Sequence, residues 1–126
     1  MIDDESVEQI ETLVARTAGP AFAVDLQGRV VAWNRRAEAL FGTSAGDALG
    51  RLCAIVVRGV DCIGGGTCRT GCPWLRVAES SVRADIPMFV RVGPKPSARV
   101  EVVMRHKVVR NRLGHPVAVL HMPHRT

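Results

Sequence analysis

Apolar residues in the first sixteen positions recur at helical spacing: Val7, Ile10, Leu13 and Val14 punctuate an otherwise acidic stretch. Side chains three and four positions apart share one face of a helix, so the pattern predicts an amphipathic helix from about Asp4 to Arg16. Such a stripe needs a cover, either from the chain's own sheet or from the same helix of a second copy. The expectation is the second, a homodimer contact, with residues 1–18 as the helical segment and 19–126 as the domain proper.

After the helix the period changes to two. Ala21 to Asp25 and Val30 to Trp33 read as strands of an antiparallel hairpin, joined by a glycine-containing turn from Leu26 to Arg29. Asn34 is suited to cap a short helix whose buried face is Ala37, Leu40 and Phe41 and whose stop is Gly42. Thr43 to Pro73 is rich in glycine and weakly periodic, which predicts irregular structure, and Trp74 to Ser81 reads as helix. Ile86 to Val92 is a further strand, ended by a loop from Gly93 to Pro96. Ala98 to Val109 alternates, with Val100, Val102, Met104 and Val108 on one side and Arg99, Glu101, Arg105 and Lys107 on the other. A turn at Asn111 to Gly114 leads to a last strand, His115 to Met122. The order predicts an α+β fold with one antiparallel sheet.

A chain of 126 residues fits one domain that buries enough apolar surface to fold without cross-links. Five acids and no base in Met1 to Glu11 are unlike a secretory leader, and no apolar run is long enough to span a bilayer, so a cytoplasmic protein with reduced thiols is expected. The net charge of +5 is unevenly spread: Arg91 to Arg125 holds eight basic residues against one acid, Glu101. Those charges fall on alternate strand positions and no basic recognition helix is present, so specific nucleic-acid binding is not expected.

The element order, together with Asp25, Gly28, Val30, Asn34, Ala37, Leu40, Phe41, Gly42 and Gly50, resembles the PAS family over about Gly19 to Met122. The resemblance implies a PAS-like five-stranded antiparallel sheet with helices over one face, ligands held between them, and a sensory rather than enzymatic role. Haem-binding relatives use a histidine before the third strand, yet no histidine occurs before His106. The light-sensing flavin relatives carry a Gly-Arg-Asn-Cys-Arg-Phe-Leu-Gln run, of which Gly50 to Val56 keeps only the Gly, Arg and Cys.

All four cysteines, Cys53, Cys62, Cys68 and Cys72, lie in the irregular middle. Four thiolates from one chain satisfy a tetrahedral zinc or a four-iron cluster, and Gly64 to Gly66 would let backbone wrap a compact centre. Three intervening residues place Cys68 and Cys72 on the same side of a helical turn, at the start of a helix that Pro73 suits and whose exposed N–H groups stabilise thiolate. The segment looks like a subset of PAS domains in bacterial regulators with Gly-x-x-Cys and a later Cys-x3-Cys-Pro-x-Leu-Arg; Cys62 is additional to that pattern. The expected cofactor is an iron–sulfur cluster of the 4Fe-4S type held by all four, with zinc, a metal-free thiol switch or incidental cysteines left open. The implied partner is a downstream regulatory or DNA-binding module. Paired carboxylates, a phosphate loop and a Cys-x-x-Cys motif are all missing, so no enzymatic activity is expected. His106 is read as a core or pocket-rim residue, His121 and His124 as solvated or spacer residues, and Trp33, Trp74, Met88 and Met104 as core.

Overall fold

The computed structural model describes residues 4–57, 85–93 and 98–125. Helix α1 spans Asp4–Arg16. The hairpin follows as β1, Phe22–Asp25, and β2, Val30–Trp33. Helix α2, Arg35–Phe41, leads into two single-turn helices, α3 at Ala45–Ala48 and α4 at Cys53–Val56. The glycine-rich middle is therefore more regular at its start than its periodicity suggests, because one-turn helices are too short to show a period. Strands β3, Asp85–Arg91, β4, Arg99–Arg110, and β5, Pro116–Arg125, complete one antiparallel sheet in the order β2-β1-β5-β4-β3. The helix read at Trp74 to Ser81 lies outside the described residues.

The last strand inserts between β1 and β4, so β1 and β5 are central and buried on both faces. On β1, Phe22 and Val24 point into a core shared with Trp33, Phe41, Val57, Met88, Val102 and Met104. Ala21 and Ala23 point the other way, into a second core with Ala32, Val109, Ala118 and Leu120 that α1 covers with Ile10 and Val14. Burying such side chains contributes roughly 1.5–3 kcal/mol each, whereas a 13-residue helix alone is marginal in water. The stripe expected to seek a second subunit is thus covered by the chain's own sheet: Ile10 and Val14 are 1% and 2% exposed.

Asn34 joins these parts. Its Oδ1 accepts from the backbone N–H of Ala37, capping α2 at 2.9 Å, and from that of Ala21 at 3.1 Å, opening β1. Its Nδ2 donates to the carbonyls of Val14 at 3.1 Å and Gly19 at 3.0 Å, which hold the end of α1. At the far end of α2, Gly42 adopts φ +67°, and an added Cβ would stand 3.0 Å from the Gly93 Cα. That approach lets the Gly93 N–H donate to the Phe41 carbonyl at 2.7 Å, tying the helix to the end of β3.

Two outcomes follow, both read by chemical denaturation. Asn34→Ala removes four hydrogen bonds among partly buried groups and is expected to cost about 2–4 kcal/mol, while Asn34→Asp, which keeps the acceptor but loses both donors, recovers only part of this. Gly42→Ala combines left-handed strain with a backbone collision and is expected to cost about 2–4 kcal/mol, against about 1–2 kcal/mol for Gly50→Ala, which has the strain but open space around it.

Candidate functional site

The inner face of the sheet carries a row of rings set by strand register. Trp33 on β2 pairs with Phe22 on β1, Phe22 with His121 on β5, and His121 with His106 on β4. Side chains directly opposite on neighbouring strands project to the same face, so four rings line up across four strands. Phe22 lies 5.1 Å from Trp33 and stacks on His121 at 4.7 Å and 13°, and His106 meets His121 edge-on at 4.6 Å. Phe41 of α2 closes over the row, edge-on to Phe22 at 5.7 Å and 4.9 Å from Trp33. The Trp33 indole N–H donates to the Thr43 carbonyl at 3.0 Å.

His106 is buried, as its strand alternation implies, and His124 is exposed. His121 corrects the sequence reading: it is 3% exposed and belongs to the inner face. The available signal was alternation with Val119, missed because β5 is buried on both faces and shows no clean period. Its Nδ1 lies 3.1 Å from the Val119 carbonyl, which can only accept, so Nδ1 carries the proton and the neutral ring keeps its lone pair at Nε2. Burial, then the charge of His106, holds the imidazole well below its ordinary affinity for protons; the bond to Val119 opposes this only in part.

Of the four cysteines, Cys53 lies among the described residues, and Cys62, Cys68 and Cys72 lie outside them. Cys53 opens α4, is buried in the same inner core as Phe22, Trp33 and Phe41, and donates its backbone N–H to the Gly28 carbonyl at 2.8 Å. Among the described residues no group of three or more His, Cys, Asp or Glu side chains could hold a metal. The residues of the hairpin turn have structural tasks: the Asp25 carboxylate accepts from the N–H groups of Gln27 and Arg29, each at 2.9 Å, while Gly28 takes φ +83°. The basic side chains of β4, Arg99, Arg105, Lys107 and Arg110, are exposed on strand positions, and no helix among the described residues is long and apolar enough to cross a membrane.

The depressed proton affinity of His121 means that the unfolded chain binds a proton more readily than the folded one. Its contribution to stability is therefore fully present above about pH 6.5, the ordinary histidine value, and is lost as pH falls below it toward the lower folded value. Urea denaturation between pH 8 and 5 is expected to show stability falling by up to about 1.4 kcal/mol per pH unit in that acid range from this group. In His121→Phe, which keeps the stack on Phe22, the slope should shrink; an unchanged slope would contradict the assignment.

A family profile described as PAS fold matches residues 8–61. No curated protein is significantly similar to the chain. Among solved structures, the PAS domain of Bordetella pertussis BvgS superposes with a TM-score of 0.64 at 17% identity, over 98% of this chain and 88% of that one. The Rhodobacter sphaeroides LOV protein gives 0.66 at 16% identity, over 98% and 68%. A chain of the E. coli DhaR(N)–DhaL complex gives 0.60 at 11% identity, and there the match spans 98% of this chain but only 37% of that one. At such identities the likeness speaks for the fold, and it extends well beyond the residues the profile matches. The sequence match covers the hairpin, its turn and the Asn34 junction, and the likeness to solved PAS and LOV structures extends across nearly all of the chain, so this protein has a PAS-like fold.

Proposed function

We propose that this domain is a signal sensor whose four cysteines, Cys53, Cys62, Cys68 and Cys72, hold an iron–sulfur cluster of the 4Fe-4S type and whose output passes to a regulatory partner. The observation that carries the reading is the position of Cys53, which enters the inner core beside the ring row just before the segment that contains the other three. A thiol there is shielded from water, and thiolate is the donor that soft iron centres select. When bound, such a cluster supplies a centre whose integrity depends on oxygen and redox state. The chain's own residues would supply the ligands, a low-dielectric wall and, through Arg51 and the sequence neighbours Arg58, Arg69 and Arg76, partial compensation of thiolate charge.

The inner face also suits transmission. Phe22, His121 and His106 connect the core on which Cys53 lies to β4, the long strand whose outer side chains Glu101, Arg105 and Lys107 are exposed. The DhaR(N)–DhaL neighbour is itself an assembly of two proteins, which favours partner binding as the output.

The test is an absorption spectrum with iron, sulfide and zinc analysis on protein purified without oxygen. The expected result is brown protein with about four irons per chain, bleached by air and absent from Cys53→Ser and Cys72→Ser. Colourless protein with about one zinc per chain would sink the cluster but keep a four-thiolate site. Colourless, metal-free protein whose thiols oxidise reversibly with a change in stability would replace it by a thiol switch. Four inert thiols would leave only a dimerisation or small-ligand module.

A further inference from the structure

Helix α1 covers only part of the outer face of the sheet: it lies on β2, β1 and β5, where Ile10 and Val14 fill the outer core. The rest of that face is centred on β4, and strand register sets what it carries. Pro87 and Phe89 of β3 stand opposite Val103 and Glu101, while Met122 and His124 of β5 stand opposite Arg105 and Val103. Partners in register project to one face, so Phe89, Val103 and Met122 make a half-buried apolar strip across three strands. Phe89 and Val103 belong to neither core among the described residues. Arg99, Arg105 and Lys107 border the strip and are exposed, against the acid Glu101 and, in register with Arg105, Asp85.

The covered part of the face shows what chemistry the open part accepts. Helix α1 is acidic and amphipathic: its apolar stripe packs on the sheet, and its Glu5 carboxylate pairs with Arg112 of the β4–β5 turn at 2.7 Å. The open part offers the same two features, an apolar strip and a border of cations. We propose that it docks an acidic amphipathic helix of a partner protein, with apolar side chains on Phe89, Val103 and Met122 and carboxylates toward Arg105 and Lys107. From Arg99 to Lys107 the strand runs roughly 27 Å, the length of about 18 helical residues. A nucleic acid has no group that gains from the apolar strip, and a second copy presents no such helix among the described residues, because the stripe of α1 is buried on its own sheet. The inference names the chemistry of the output partner and rests on the reading of the domain as a sensor that signals to one, but no cysteine contributes to the surface.

Fluorescence anisotropy on the full chain at about 0.15 M salt tests this, with a labelled peptide of about 18 residues that carries leucine at helical spacing and glutamate on its flanks. The acidic amphipathic peptide is expected to bind. A scrambled peptide of the same composition, one with lysine for glutamate, and duplex DNA should each bind at least roughly tenfold more weakly. Lys107→Glu and Arg105→Glu should each weaken the acidic peptide roughly fivefold, and Val103→Asp at least roughly tenfold. Circular dichroism and thermal midpoints check that the variants fold; should Val103→Asp fail, Val103→Thr, which keeps the shape, should still weaken binding roughly threefold. Iron content measured on the same anaerobic samples separates the two readings, since a defect in the surface leaves it unchanged and a missing cluster leaves peptide binding in place. No binding, equal binding of the scrambled peptide or of DNA, or binding indifferent to Lys107→Glu and Val103→Thr would overturn the proposal.

Discussion

The carboxamide of Asn34 is the junction on which the described structure depends. A carboxamide offers an acceptor and two donors on one rigid plane, and here each is used on a different element: the start of α2, the start of β1, the end of α1 and the Gly19 turn. No other short side chain could serve both roles, since aspartate lacks donors and serine lacks reach. Because one partner, Ala37, is local while Val14, Gly19 and Ala21 lie 13 to 20 residues away in sequence, the residue fixes the direction in which α1 returns to the sheet as well as the direction in which α2 leaves it.

From that junction follows a sheet with two different faces. The outer core is built of small residues, Ala21, Ala23, Ala32 and Ala118, which let α1 approach closely enough to bury Ile10 and Val14. The inner core is built of large ones, and register rather than proximity in sequence brings Trp33, Phe22, His121 and His106 into one row. The buried imidazole of His121 is tolerated because it satisfies a backbone carbonyl and stacks on Phe22. Charging it there would place a cation in a dry core beside the ring of His106.

Cys53 connects this inner face to the chemistry suggested by the cysteine grouping. Its backbone is anchored to Gly28 in the hairpin turn, whose shape in turn depends on Asp25 and on the positive φ of Gly28. A residue placed in this way is tied to the hydrogen-bonded hairpin turn, and the sequence continues from it to the other three cysteines.

The sequence by itself determined the features that local physics controls. The 3.6 period of α1 predicted its bounds, the Asn34 cap and Gly42 stop predicted α2, and the alternation of Val102, Met104 and His106 against Arg105 and Lys107 predicted the faces of β4. The family resemblance likewise rested on residues with local duties, Asp25, Gly28, Asn34 and Gly42, which is why it was legible. Only tertiary structure decided what depends on pairing between distant segments. The insertion of β5 between β1 and β4 buried His121, which looked solvated, and gave α1 an intrachain surface, which the stripe alone could not distinguish from a second copy. The physical reason is that a period reports which side chains share a face, while what covers that face is set by strand order, and strand order leaves no mark on the local pattern.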